Sequence, residues 1–161
     1  YKRYIGNGAP KHFLSWSNNL TWRNFDLSVF FRGTFGFDVF NMRKYGMGLQ
    51  GCGTDNVLRS AYLEDKNIRT GGGVISSYFL EDGSFIKLEN VTLGYNFTPK
   101  NRKLLDNMRI YLSAKNLFTL TGYSGNDPSI IDVNGIQPGV DSNSAYPTAT
   151  QLSLGVTLRF K

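Results

Sequence analysis

Thr150-Gln-Leu-Ser-Leu-Gly-Val-Thr-Leu-Arg-Phe160 decides the fold. Leu152, Leu154, Val156, Leu158 and Phe160 share one parity, and Gln151, Ser153, Gly155, Thr157 and Arg159 share the other. A period of two sends the first set to one face of a strand and the second set to the other. An apolar face of this length, ending on an aromatic, suits the last strand of an outer-membrane barrel. Lipid takes the apolar side and a wet lumen takes the polar side. The five apolar residues are therefore the expected C-terminal barrel signal.

Four earlier segments repeat the pattern. In His12 to Trp22, Leu14, Trp16, Leu20 and Trp22 oppose Ser15, Ser17, Asn19 and Thr21, with Asn18 alone on the apolar side. In Asn24 to Thr34, Phe25, Leu27, Val29 and Phe31 oppose Asp26, Ser28, Arg32 and Thr34, with Phe30 as the exception. In Ser84 to Phe97, Val91, Leu93, Tyr95 and Phe97 oppose Asn90, Thr92, Gly94 and Asn96. In Met108 to Thr119, Ile110, Leu112 and Ala114 oppose Arg109, Tyr111, Ser113 and Lys115. The expected fold is all-β: an antiparallel transmembrane barrel segment of about five strands.

The connections run short, long, short, long. A tight turn sits at Arg23, the stretch Gly33 to Gly83 follows, then Thr98 to Asn107, then Leu120 to Ala149. Short periplasmic turns and long extracellular loops have this order. On that topology Trp22, Phe25, Tyr95, Phe97 and Phe160 gather at the periplasmic strand ends, as an aromatic girdle requires. Lys87 and Glu89 share the parity of Val91 and are expected at and above the outer interface, where both reach water. A soluble sandwich gives the same alternation, but it has about seven strands and short, regular turns.

Composition narrows the classes. Apolar runs reach only three residues, as in Val29 to Phe31, far below the ~18 of a spanning helix. Twelve Phe, nine Tyr and eighteen Gly fit strands and turns. The net charge of +6 comes from scattered cations, so a solvated surface outweighs nucleic acid as a partner. The lone Cys52 makes no internal disulfide or zinc site. The start at Tyr1 lacks a signal peptide, which suits a chain that begins inside a longer exported protein.

The loops carry the remaining candidates. Phe35, Phe37, Phe40 and Tyr45 are a possible sugar-stacking set, with packing the favoured reading. A short helix is expected from about Asp55 to Asn67 before the break at Gly71-Gly72-Gly73. Tyr123 and Asp127 are loop candidates for ligand or partner contact. Asp127, Asp132 and Asp141 lack calcium-loop spacing and read as turn residues. The single His12 stands on the parity opposite Ser15 and Ser17, so no nucleophile–base pair forms. Neither enzymatic activity nor a cofactor or metal is expected.

Two stretches point to a family. Tyr78-Phe-Leu-Glu-Asp-Gly-Ser-Phe-Ile-Lys-Leu-Glu-Asn-Val-Thr-Leu-Gly-Tyr-Asn-Phe97 and Arg109-Ile-Tyr-Leu-Ser-Ala-Lys-Asn-Leu-Phe-Thr-Leu-Thr-Gly-Tyr-Ser-Gly-Asn-Asp-Pro128 resemble the C-terminal end of SusC/RagA-type TonB-dependent transporters of Bacteroidetes. Tyr4-Ile-Gly-Asn-Gly-Ala-Pro-Lys11, Asn24 to Phe30 and Leu154 to Phe160 fit too. The resemblance covers the whole chain; the Cys52 loop and Lys161 depart from it. It implies an outer-membrane barrel of about 22 strands, with 1–161 as the C-terminal part and the plug and TonB-contacting region elsewhere. A SusD-like surface lipoprotein is the implied partner, and the substrate is an oligosaccharide first, a peptide second. Ser28, Arg32, Asn90, Asn96, Arg109 and Lys115 are then expected to face the lumen. Five strands close no barrel, so 1–161 alone is expected not to fold stably.

Overall fold

The computed structural model describes residues 4–48, 56–63, 75–99, 105–131, 135–142 and 146–161. The strands are β1 (His12–Trp22), β2 (Phe25–Phe35), β3 (Asp38–Asn41), β4 (Leu80–Asp82), β5 (Phe85–Phe97), β6 (Leu105–Thr121), β7 (Val140–Asp141) and β8 (Gln151–Phe160). The helices are α1 (Met42–Met47) and α2 (Ser60–Leu63). Among the described residues no helix is long and apolar enough to cross a membrane. The chain divides into two compact units.

The first unit is a five-stranded sheet in the order β1-β2-β5-β6-β8. These are the five strands that alternation predicts, with ends shifted by a few residues. Arg23 makes the β1–β2 hairpin by taking φ 54°, and its guanidinium lies 5.3 Å from the centre of the Trp22 ring. Asn24 anchors the far end of β5. Its carbonyl accepts from Asn96 N–H at 2.7 Å and its side-chain amide donates to the Asn96 carbonyl at 2.6 Å.

Register follows the pattern. Along the antiparallel β6–β8 ladder, Ile110 faces Val156, Leu112 faces Leu154, and Ser113 faces Ser153. A slip by one residue would oppose every apolar side chain to a polar one. The ladder stops at Lys115–Gln151, next to Asn116 at φ 52°. Asn116 then holds the neighbouring chain differently, donating to the Ala149 carbonyl at 3.2 Å.

The apolar parity stands outward. Leu14, Trp16, Leu20, Trp22, Leu93, Leu112 and Val156 are exposed, and Leu154 is 77% exposed. Trp16 packs on Phe31 at 5.6 Å and Phe25 on Tyr95 at 4.8 Å between ring centres. Rings and aliphatic chains thus make a continuous apolar surface of a kind that water-soluble monomers rarely leave bare.

The positions of Lys87 and Glu89 correct the expectation. Ile86 and Leu93 are both exposed, while Phe85 and Lys87 are buried. An odd separation between two outward residues means the alternation slips once between them. Lys87 is only 2% exposed, and its Nζ donates to Thr148 Oγ1 at 2.7 Å. Glu89 pairs with Arg32 at 3.2 Å. Neither stands on the outward apolar row: strict period-two counting carried that row through the slip.

The second unit was not legible as strands. Its sheet has the order β4-β3-β7. β3 pairs antiparallel with β4, Val39 opposite Glu81, and parallel with β7, Phe40 opposite Val140. The parallel pairing departs from the all-antiparallel expectation. Phe37, Val39, Phe85, Tyr123 and Ile131 form the core, with Val39 fully buried. α1 was also missed. Asn41 caps it, its side chain accepting from Lys44 N–H at 2.9 Å, and Gly48 ends it. Of the helix expected over 55–67, only Ser60–Leu63 (α2) is helical among the described residues, and 56–59 are not; 55 and 64–67 lie outside the described residues, as do Cys52, Gly71 to Gly73 and Asp132.

Candidate functional site

The polar face of the five-stranded sheet is the first candidate. Asp26, near the start of β2, is its main acceptor. Arg109 on β6 reaches across β5 to it, Nε to Oδ1 at 3.1 Å with a second bond from its terminal nitrogen to Oδ2. Asn96 donates to the same carboxylate at 2.8 Å. The reach depends on Gly94, whose missing Cβ would stand 2.5 Å from Asp26 Oδ1 and 2.8 Å from Arg109 Nε. Tyr111 repeats the device one strand over. Its ring lies across Gly155, where a Cβ would come within 2.4 Å, and the Arg109 guanidinium is 5.2 Å from the ring centre. A bidentate carboxylate–guanidinium pair fixes both position and direction, so Asp26, Arg109 and Tyr111 tie four strands together.

The other polar residues bond in smaller groups. Thr92 Oγ1 and Ser113 Oγ are 3.0 Å apart, and Ser113 approaches Asn90 Oδ1 at 3.4 Å. Arg32 is paired with Glu89. Ser28 is half-buried, and Lys115 is exposed. Of the six expected lumen residues, the structure therefore joins Asn96 and Arg109 through Asp26, and it leaves the other four apart. Asp26 and Tyr111 belong to this cluster and were absent from the candidate set. Their parity was visible; the cross-strand reach over two glycines was not.

In the second unit the aromatic candidates turn inward. Phe37 and Tyr123 are core residues, 2% and 6% exposed, which withdraws them as ligand contacts. Burial and a 2.6 Å bond to Asp141 raise the Tyr123 phenol well above its ordinary range. Asp127 is likewise buried and caps a 3-10 turn by accepting from Ser129 N–H at 2.9 Å. Tyr45 packs edge-on to Phe79 at 5.2 Å. Phe35 ends β2 half-buried, its carbonyl accepting from Lys11 N–H.

This unit also holds a polar cavity of about 580 Å³, lined by Asn41, Arg43, Lys44, Arg59, Glu81 and Ser124 among others. Glu81 is its hub. It accepts from Ser124 N–H and Ser124 Oγ, each at 2.8 Å, and from Asn41 Nδ2 at 3.2 Å. Lys44 stands 3.8 Å from Glu81 and 4.3 Å from the centre of the Tyr78 ring. The cavity is not legible in the sequence because its residues come from four separate stretches with no shared motif. Among the described residues no group of acidic, His or Cys side chains is arranged to hold a metal.

An outward apolar row, an inward polar row and a meander of long strands define a membrane β-barrel wall. No protein-family model matches the chain. Relatives do. TonB-dependent receptor P3 of Formosa agariphila is 26% identical over 99% of this chain and 17% of its own length. TonB-dependent receptor SusC of Bacteroides thetaiotaomicron is 28% identical over 89% of this chain and 14% of its own. Among solved structures, the RagAB peptide importer in its closed-closed state superposes with a TM-score of 0.74 at 23% identity, over 97% of this chain and 18% of that one. The chain thus spans about a sixth of the length of the curated relatives it matches. Together these likenesses match the chain, over nearly its whole length, to the C-terminal barrel segment of SusC/RagA-type TonB-dependent receptors. The relatives are named receptors, not enzymes.

Proposed function

We propose that residues 1–161 form the C-terminal part of the barrel of an outer-membrane transporter that imports nutrients. The sheet itself carries this reading. Its apolar row faces outward, its polar row bonds across strands, and β1 and β8 end the strand order with one neighbour each among the described residues. Unpaired edges are costly in lipid, and further strands closing a barrel would remove both. Import would draw its energy from TonB, acting through another region of the complete protein. The wall performs no covalent chemistry.

Ser28, Arg32, Asn90, Asn96, Arg109 and Lys115 are proposed to face the lumen. Arg32 and Arg109 are already neutralised by Glu89 and Asp26. Such a wall offers hydrogen bonds with little net charge, which suits oligosaccharides as the first substrate class. The fold likeness to a peptide importer keeps peptides second. A SusD-like surface lipoprotein is the proposed partner, with outer-membrane lipid around the strands.

The test is uptake by cells carrying the complete protein, with and without TonB. Import is expected to stop without TonB, and the protein to fractionate with the outer membrane and co-purify with a surface lipoprotein. Flux that persists without TonB would favour a passive porin. A protein found in the aqueous fraction without detergent would favour a soluble carbohydrate-binding β-domain.

A further inference from the structure

The Arg43–Lys44–Arg59 cavity has an imbalance that its own residues do not remove. Its two carboxylates are turned toward internal donors. Glu81 is saturated by Asn41 and Ser124, with Lys44 alongside. Asp82 Oδ1 accepts from Ser84 N–H at 2.9 Å and Ser84 Oγ at 2.6 Å. The arginines are engaged far less. Arg43 spends one terminal nitrogen on Asn126 Oδ1 at 2.8 Å. Arg59, on the lip before α2, is exposed and has no side-chain partner among the described residues. A guanidinium presents five donors in a planar fork that matches a carboxylate. The cavity volume of about 580 Å³ accepts a small ligand or one end of a longer one.

We propose that this cavity binds a carboxylate group of the imported ligand through Arg59 and Arg43, with Lys44 adding charge from its place against Glu81 and Tyr78. The proposal rests on the import reading and deepens it, adding acidic oligomers to a substrate range that the near-neutral sheet face leaves open. The carboxylate can belong to a uronic acid or to an acidic peptide side chain, and the two sources call for different probes.

Binding would be measured by calorimetry on the complete protein in detergent. The probes are trigalacturonate against its uncharged trisaccharide counterpart, and triglutamate against triglutamine. An acidic probe is expected to bind at least about tenfold more tightly than its neutral counterpart, the size expected for a charge-assisted bidentate bond. Arg59→Gln is expected to erase that preference, Arg43→Gln to reduce it, and Arg59→Lys to keep part of it. Neutral probes should not respond to any of the three. Arg59 has no side-chain partner among the described residues, so its variants are expected to keep wild-type heat-modifiable mobility on gels. Preference for trigalacturonate alone would assign the site to an acidic glycan, and preference for triglutamate alone to a peptide. No acidic preference in the wild type, or an undiminished preference in both Gln variants, would overturn the proposal. Failure of the import reading shows separately, as uptake indifferent to TonB.

Discussion

The five-stranded sheet and the loop unit are both β-structure, yet they are turned inside out relative to each other. In the sheet the largest apolar side chains point outward, as at Leu154, and carboxylates and guanidiniums meet on the opposite face. In the loop unit Phe37, Val39 and Tyr123 are enclosed, and the polar cavity opens to solvent. One chain with one composition therefore satisfies two solvents. The hydrophobic effect buries apolar area only against water; where lipid replaces water, outward leucines cost nothing and unpaired polar groups cost much.

The largest effect should come from breaking the loop core. Phe37→Ala is expected to destabilise that unit by about 3–5 kcal/mol, the range for an aromatic removed from a packed core. Limited proteolysis should then cut the loops while the sheet keeps its heat-resistant mobility. Next is the reversed surface. Val156→Arg, midway along β8, is expected to cost about 2–4 kcal/mol when unfolding is followed in lipid vesicles, whereas Ser153→Arg on the other face should cost far less. Equal costs would erase the distinction between faces.

Glycine separates the regions more finely. Gly94→Ala drives a Cβ into Asp26 and Arg109 and is expected to cost about 1–3 kcal/mol by overpacking. Gly122→Ala, with no atom within 4 Å of the added carbon, should cost almost nothing. The smallest effect is in pH. Tyr123 has its folded pKa raised by burial and by Asp141. Its stabilisation is therefore full below the unfolded tyrosine pKa of about 10 and is lost as pH rises above it, by at most about 1.4 kcal/mol per pH unit. Amide exchange in the loop unit should quicken above that point, and Tyr123→Phe should flatten the profile.

The sheet was legible in the sequence because its apolar and polar faces keep a period of two over ten or more residues. β1 begins and ends where alternation predicts. Counting failed at Lys87 and Glu89, where one slip in β5 leaves the composition unchanged and reverses the face. The loop unit was less legible for a different reason. β3, β4 and β7 have four, three and two residues, too few to show a period. What defines them is pairing between distant stretches, such as Val39 with Glu81. Phe37 and Tyr123 illustrate the same limit at the candidate site: an aromatic in a Gly-rich loop reads alike whether it meets a ligand or a core.

The most direct test of the inverted sheet is a scan of single spin labels along β5 of the complete protein in outer-membrane vesicles. Collision with oxygen reports lipid, and collision with a water-soluble nickel chelate reports lumen. Lipid contact is expected at Val91, Leu93, Tyr95 and Phe97, water contact at Asn90, Thr92 and Asn96, and water contact again at Glu89, one residue out of phase. Equal access of the nickel chelate to both parities would contradict a membrane wall and return the sheet to water.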